Sequence, residues 1–286
     1  MNTFTSISAS LPEYAHTFSL CTLVNDMEEY KVMKESFESC GFTGNCEYLV
    51  ADNCGGNRFD AYAAIRLFLR QARGKYIIVV HQDVRCIDNI QQLLKCLDQL
   101  NAMDDKWAVC GNAGCMGYHE DLMHINIAGK IVTSLGLPGK VSSLDENLLI
   151  INASSNITLS SDLSGFHLYG TDICLIAATL GYNSYVIPFM VKHLSFGNLK
   201  DLKKHIHLFT DGYGKKLRSR FIATTCTKFY ISNSVFKTRL LNYPPIFSVV
   251  KFVQRIKQLR RLARLGDVHK TTVVYEENTE RRSAKN

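Results

Sequence analysis

The chain has 286 residues, 46% of them hydrophobic and 21% charged, with a formal net charge of +7. That length accommodates one large α/β domain and a smaller appendage with ample core. The ten cysteines are scattered, several inside apolar runs (Cys21, Cys86, Cys96, Cys110, Cys174), and no Cys-x-x-Cys pair occurs. This excludes a disulfide framework and argues against structural zinc. The first twenty residues lack a basic stretch followed by an apolar core, so no secretory signal is read there and a cytoplasmic location is expected.

In chain order, residues 18–24 (FSLCTLV) predict a strand, Asn25 and Asp26 a loop, and 27–40 a helix ended by Gly41. A second unit follows: strand 47–51, a break at Asp52-Asn53-Cys54-Gly55-Gly56, and a helix from about 60 to 73 closed by Gly74. Residues 76–80 (YIIVV) are continuously apolar, as a strand buried on both faces requires, and end in His81-Gln82-Asp83 before a helix over about 88–100. Three such β-α repeats predict a mostly parallel sheet flanked by helices. Ligands in such sheets bind beyond the carboxyl ends of the strands, where Asn25, Asp52 and Asp83 fall.

The second half reads differently. A strand is expected over 107–114, a mixed and loop-rich stretch over 123–144, and a strand over 148–152. Thr171 is expected to cap a helix running to Leu180 that Gly181 ends, and a strand from Tyr185 delivers His193. Residues 173–191 are uncharged, but Gly181, Asn183, Ser184 and Pro188 interrupt them, so a membrane span is not read there.

Charge divides the chain. Residues 200–265 hold 16 Lys/Arg against Asp201 and Asp211, a local +14, which leaves −7 elsewhere. The expected domains are a catalytic body over 1–200, a basic helical region over 201–267 and a polar, disordered tail over 268–286. In 251–265 (KFVQRIKQLRRLARL), Phe252, Ile256, Leu259 and Ala263 recur at helical spacing with the cations mostly elsewhere. That pattern fits a helix lying on an anionic membrane surface, and a solvated helix face is the alternative; no nucleic-acid partner is expected.

Asp83 at a strand end is an obvious oxygen ligand for a divalent metal, and His193 a nitrogen ligand that favours manganese. Asp172, in the first turn of a helix, is a candidate general base, although the helix dipole alone favours an acid there. Gly55-Gly56-Asn57-Arg58 lacks dinucleotide-fingerprint spacing, and Arg58 remains a candidate phosphate contact.

Three segments carry a resemblance: His81-Gln82-Asp83-Val84, Phe166-His167-Leu168-Tyr169-Gly170-Thr171-Asp172, and Lys192-His193-Leu194-Ser195-Phe196-Gly197. Over about 18–200 the chain resembles glycosyltransferase family 2, of GT-A fold, in the branch whose Asp-x-Asp motif is replaced by His-Gln-Asp-Val. The resemblance implies an inverting hexosyltransferase that moves a sugar from a nucleoside-diphosphate sugar to a glycan hydroxyl. It implies Mn2+ or Mg2+ at Asp83 and His193, a donor site comprising Asn25, Asp52, Asn53, Arg58, Gln82 and Asp83, and Asp172 as the base. Together with the basic helix, it implies work at the inner face of a bacterial membrane in O-antigen (lipopolysaccharide) or capsule synthesis, on a polyprenyl-diphosphate-linked acceptor. His81 departs from the common pattern, as does Thr171, which stands where an acid precedes the base. A sugar nucleotidyltransferase and a non-catalytic carbohydrate-binding protein are the alternatives.

Overall fold

The apolar runs of the first hundred residues form strands, and the amphipathic runs between them form helices. In the computed structural model, which describes residues 13–117, 120–195 and 201–265, β1 (His16–Val24), α1 (Met27–Ser39), β2 (Cys46–Asp52), α2 (Ala61–Gln71) and β3 (Gly74–Val80) follow in order. β1 pairs in parallel with both β2 and β3. Asp26 caps α1 by accepting from the Glu28 and Glu29 amides, and Asp60 caps α2 through Ala63. Gly74, expected to close α2, instead opens β3. A Cβ there would lie 2.5 Å from the Ser19 backbone nitrogen, so the approach of β3 to β1 requires glycine.

β4 (Val84–Cys86) follows a short turn, and Asn89 caps α3 (Ile90–Met103). The run expected as one strand over 107–114 breaks at Asn112 into β5 (Trp107–Gly111) and β6 (Ala113–Met116), which enter different sheets. The stretch expected to be loop-rich holds β7 (Glu120–Ile127), β8 (Lys130–Thr133), β9 (Gly139–Val141) and β10 (Ser143–Leu144). After β11 (Leu148–Asn152) come α4 (Tyr169–Thr179), β12 (Asn183–Val186) and β13 (Val191–His193). Thr171 lies inside α4 and does not cap it. The N-cap is Leu168, in the left-handed region at φ 68°, without a side-chain cap.

The main sheet has the order β2-β1-β3-β11-β5-β12-β9. β11 runs antiparallel to both β3 and β5, and β12 runs parallel to β5, so β1, β2, β3, β5 and β12 share one direction while β11 and β9 oppose it. This is a mostly parallel α/β sheet, with the strand-to-helix turns collected at one edge. Along β3 the side chains alternate. Ile77 and Val79 join a core with Ile65 and Phe68 of α2 and Ile173 of α4, while Tyr76, Ile78 and Val80 join another with Met33 and Phe37 of α1 and Leu93 and Leu97 of α3. Both faces of the sheet are therefore covered, which is why YIIVV shows no polar alternation.

A second, smaller sheet has the order β10-β6-β7-β13-β4, with β8 on β7. Its importance is positional: β13 pairs antiparallel with β4 so that His193 stands opposite Val84, the residue after Asp83.

The chain divides into two compact units between Tyr213 and Gly214, inside α5 (Leu202–Lys216). The second unit holds α6 (Val235–Asn242) and α7 (Pro244–Leu265) and, unlike the purely helical expectation, a hairpin of β14 (Arg220–Ala223) and β15 (Lys228–Ile231). Thr224 closes that hairpin by accepting from the Cys226 and Thr227 amides. The expected tail at 268–286 and Phe196-Gly197 of the histidine segment lie outside the described residues. Among the described residues no helix is long and apolar enough to cross a membrane. All ten cysteines are free.

Candidate metal centre at the carboxyl edge of the sheet

β3 ends at Val80, and its continuation places His81 and Asp83 at the carboxyl edge of the sheet; β13 brings His193 to the same point. The ligand atoms of His81, Asp83 and His193 lie within 4.8 Å of one another. His193 Nε2 is 3.3 Å from Asp83 Oδ2, and His81 Nδ1 is 3.9 Å from Asp83 Oδ1. Ser195 Oγ donates to Asp83 Oδ2 at 2.7 Å, and the Leu194 amide donates to the Asp83 carbonyl at 3.1 Å, so backbone and side chain of Asp83 are both fixed.

Burial alone would raise the Asp83 carboxyl, but hydrogen bonds from His193 and Ser195, with the nearby imidazoles, hold it well below the usual carboxylate range. Burial lowers the His81 imidazole, Asp83 opposing the shift only in part. At His193 burial is outweighed by the hydrogen bond and charge of Asp83, which raise the imidazole, so a divalent cation would find Asp83 charged and His81 neutral and would displace the proton of His193.

Tyr169, at the start of α4, orients His81. Its hydroxyl lies 2.6 Å from His81 Nε2 and donates to the Glu146 carbonyl at 3.2 Å. With its one proton directed to that carbonyl, the hydroxyl accepts from Nε2–H, which leaves Nδ1 as the lone-pair nitrogen facing Asp83. Two imidazole nitrogens and one carboxylate suit manganese better than magnesium, whose preferred ligands are all oxygen. The donor set fits a divalent ion held by these three residues.

Beside the cluster, the segment between β10 and β11 carries Asp145, Glu146 and Asn147. The Asn147 carbonyl accepts from the His81 amide at 3.1 Å. The partly exposed Glu146 faces the N-terminus of α4, 3.5 Å from the Gly170 amide. Gly170 permits this packing: a Cβ there would meet the Leu144 carbonyl oxygen at 2.4 Å and Glu146 Cγ at 3.3 Å. Burial, with the charge of Asp145 second, pushes the Glu146 carboxyl up to about 8.

Asp172, expected as the general base, lies inside the fold. It is 0% exposed, and its carboxylate accepts from the Ser160 amide (2.7 Å), Ser160 Oγ (2.6 Å) and the Tyr213 hydroxyl (2.6 Å). None of these partners belongs to the metal cluster, and together they occupy three of the about four lone-pair sites of the carboxylate. Through these hydrogen bonds Asp172 ties α4 to the 160 loop and to α5.

The expected donor residues separate into three groups. Gln82 and Asn25 are joined, the Gln82 amide oxygen accepting from the Asn25 and Asp26 amides at 3.0 and 3.2 Å, so Gln82 locks the end of β1 to the end of β3. Asp52 and Arg58 face each other at 4.0 Å, Arg58 exposed and Asp52 half-buried, and the Cys54 amide is the first cause holding the Asp52 carboxyl below its ordinary value. Asn53, 5% exposed, is engaged within its own loop, where Nδ2 donates to the Phe59 carbonyl and Oδ1 accepts from the Phe59 amide. These two bonds shape the loop that carries Asp52 and Arg58. Tyr62 is core, 1% exposed, its ring edge-on to Tyr169.

Sequence reasoning did not assign His81 as a ligand, nor Tyr169 or Ser195 any role, and it read Asp145-Glu146 as a solvated loop pair, with contact to the sugar or acceptor as the alternative. For Ser195 the only signal was its position two residues after His193, the spacing that puts side chains on one face of a strand.

No known family model matches the sequence. Among solved structures, the fold is similar to A197 from STIV (12% identity, TM-score 0.38, covering 62% of this chain and 84% of that one). It is also similar to S. aureus TarS 1-349 in complex with UDP-GlcNAc (12% identity, TM-score 0.45, 69% of this chain and 66% of that one). By sequence, 185 residues are 36% identical to the ATP synthase subunits region ORF 6 protein of Fuscovulum blasticum, a match that takes in 62% of this chain and 74% of that protein. A match of that identity across most of a protein reflects common descent, and the chain belongs to the same family as the Fuscovulum blasticum ORF 6 protein.

Proposed function

We propose that the chain is an inverting, metal-dependent glycosyltransferase that moves a hexosyl group from a nucleoside-diphosphate sugar to a hydroxyl of a glycan acceptor. The observation that carries this reading is the His81, Asp83, His193 cluster at the carboxyl edge of a mostly parallel sheet, next to the loops that end β1 and β2. A divalent ion held there supplies Lewis-acid stabilisation of a departing diphosphate. Asp52 and Arg58, and Asn25 anchored by Gln82, line the path from the cluster toward the nucleoside.

In this reading the proton acceptor is Glu146, the part-exposed carboxyl beside Tyr169 and the cluster. The acceptor hydroxyl loses its proton to Glu146 as its oxygen bonds to the anomeric carbon. The bond from that carbon to the phosphate oxygen breaks with its electron pair going to the diphosphate, and the in-line geometry inverts the centre. Tyr169 keeps the His81 tautomer fixed throughout. The acceptor is a glycan of bacterial surface polysaccharide, O-antigen or capsule, carried on a polyprenyl diphosphate, and the protein works in the cytoplasm against the inner face of the membrane.

The test is a donor screen scored by nucleotide release, with and without manganese, on purified full-length chain. Release from one donor, stimulated by manganese and lost in Asp83→Asn, is the expected result. No release above background from any donor, with no nucleoside diphosphate bound by calorimetry, overturns the reading.

A further inference from the structure

Residues 214–265 contain thirteen lysines and arginines and not one aspartate or glutamate. Within this unit α7 has two apolar faces. Phe247, 9% exposed, stacks on Phe221 of β14 at 6.5 Å, and Phe221 meets Tyr230 of β15 at 4.7 Å. An α-helix turns by about 100° per residue. Val249, Phe252, Val253, Ile256 and Leu259 therefore share the face opposite Phe247, and four of them are 62, 65, 42 and 58% exposed (Val249, Phe252, Val253, Leu259). Arg255 and Lys257 border this stripe and Arg260 lies within it. α6 adds Val235 and Phe236, 66 and 73% exposed, beside Lys237 and Arg239.

Exposed apolar side chains interleaved with cations narrow the partner. Nucleic acid would engage the cations and leave the aliphatic stripe in water. A second copy would cover the stripe but would bring arginines and lysines together with no acid in the unit to neutralise them. An anionic bilayer satisfies both features, since its acyl boundary takes the apolar stripe and its phosphates take the bordering cations, whose long stems reach outward.

We propose that α7, with the adjoining α6, docks on an anionic membrane surface, the Val249 to Leu259 stripe at the acyl boundary and Arg255, Lys257 and Arg260 at the lipid phosphates. This deepens the membrane part of the function proposed above and rests on none of its chemistry.

The test is co-sedimentation of the full chain with vesicles of phosphatidylglycerol or of phosphatidylcholine, a readout indifferent to whether any sugar is transferred. The chain should pellet with phosphatidylglycerol, far less with phosphatidylcholine, and less as salt rises. Phe252→Ser with Leu259→Ser should reduce partition by at least about tenfold, because two large apolar side chains leave the acyl boundary. Lys257→Gln with Arg260→Gln should reduce it by about 30-fold, at about 1 kcal/mol per charge. All four side chains are exposed, so the helical circular dichroism of both variants should match that of the parent. Absence of binding to phosphatidylglycerol, serine variants that bind like the parent, or a parent dimer that the serine pair converts to monomer would each overturn the proposal.

Discussion

His193 Nε2 lies 3.3 Å from Asp83 Oδ2, although the two residues belong to distant parts of the chain. The contact exists because β13 pairs with β4 in a register that sets His193 opposite Val84. A strand slipped by one residue would turn the imidazole to the opposite face of the small sheet. The ligand set therefore depends on a strand pairing.

Removing His193 is accordingly expected to weaken cation binding and leave the fold intact. His193→Ala should lower manganese affinity in calorimetry and abolish manganese stimulation of turnover. Undiminished stimulation would remove His193 from the ligand set.

Tyr169→Phe keeps the ring that packs on Tyr62 and removes the hydroxyl that holds His81 Nε2. Loss of such an orienting partner costs about 10–100-fold in metal affinity. Manganese titration of the variant measures it, and an unchanged dissociation constant would show that His81 needs no partner.

Asp172→Asn replaces a buried carboxylate that accepts three hydrogen bonds with an amide that cannot accept on its nitrogen. Hydrogen bonds to charged groups contribute about 1.5–3 kcal/mol each, so urea unfolding should show a loss of about 2–4 kcal/mol. A variant with parental stability and no transfer would make Asp172, and not Glu146, the base.

Glu146 supplies the pH dependence. Its carboxyl is raised from 4.5 to about 8, so between those values the folded chain holds a proton that the unfolded chain has released. Stability from this group is full below about 4.5 and falls as pH rises toward 8. Glu146→Gln should remove that fall, melting higher than the parent above pH 8 and about equally at acid pH. The same carboxyl must be ionised to accept a proton, so transfer by the parent should rise through pH 8 and be lost in the Gln variant. A transfer profile flat across that range would place the proton elsewhere.

Gly74→Ala tests the packing of the main sheet. Its Cβ meets the Ser19 nitrogen and Oγ at 2.5 and 2.6 Å, contacts that only a backbone shift relieves. A loss of about 1–3 kcal/mol in denaturant unfolding is expected.

Most of the first hundred residues were legible in sequence because their signals are local. The apolar runs of β1 and β3, the polar break at Asn25 and Asp26, and the turn at Gly41 each act within a few residues of themselves. The ends of β1, β2 and β3 could therefore be placed at one edge, and with them Asn25, Asp52 and Asp83. The second sheet was not legible. β4, β6, β10 and β13 are short, and what makes β10 and β13 strands is pairing with β6 and β4, partners distant in sequence.

By itself, then, the sequence determined a mostly parallel α/β body with acids at its carboxyl edge and a strongly basic appendage with few acids. Tertiary structure alone decided which groups meet there. It added His81 to the ligands by bringing Tyr169 to its Nε2, and it enclosed Asp172 between Ser160 and Tyr213 while leaving Glu146 beside the cluster. The physical reason is that the exposure and hydrogen-bond partners of a carboxylate are properties of its surroundings. Those surroundings are assembled here from β10, β11, α4 and α5, segments that local sequence signals do not bring together.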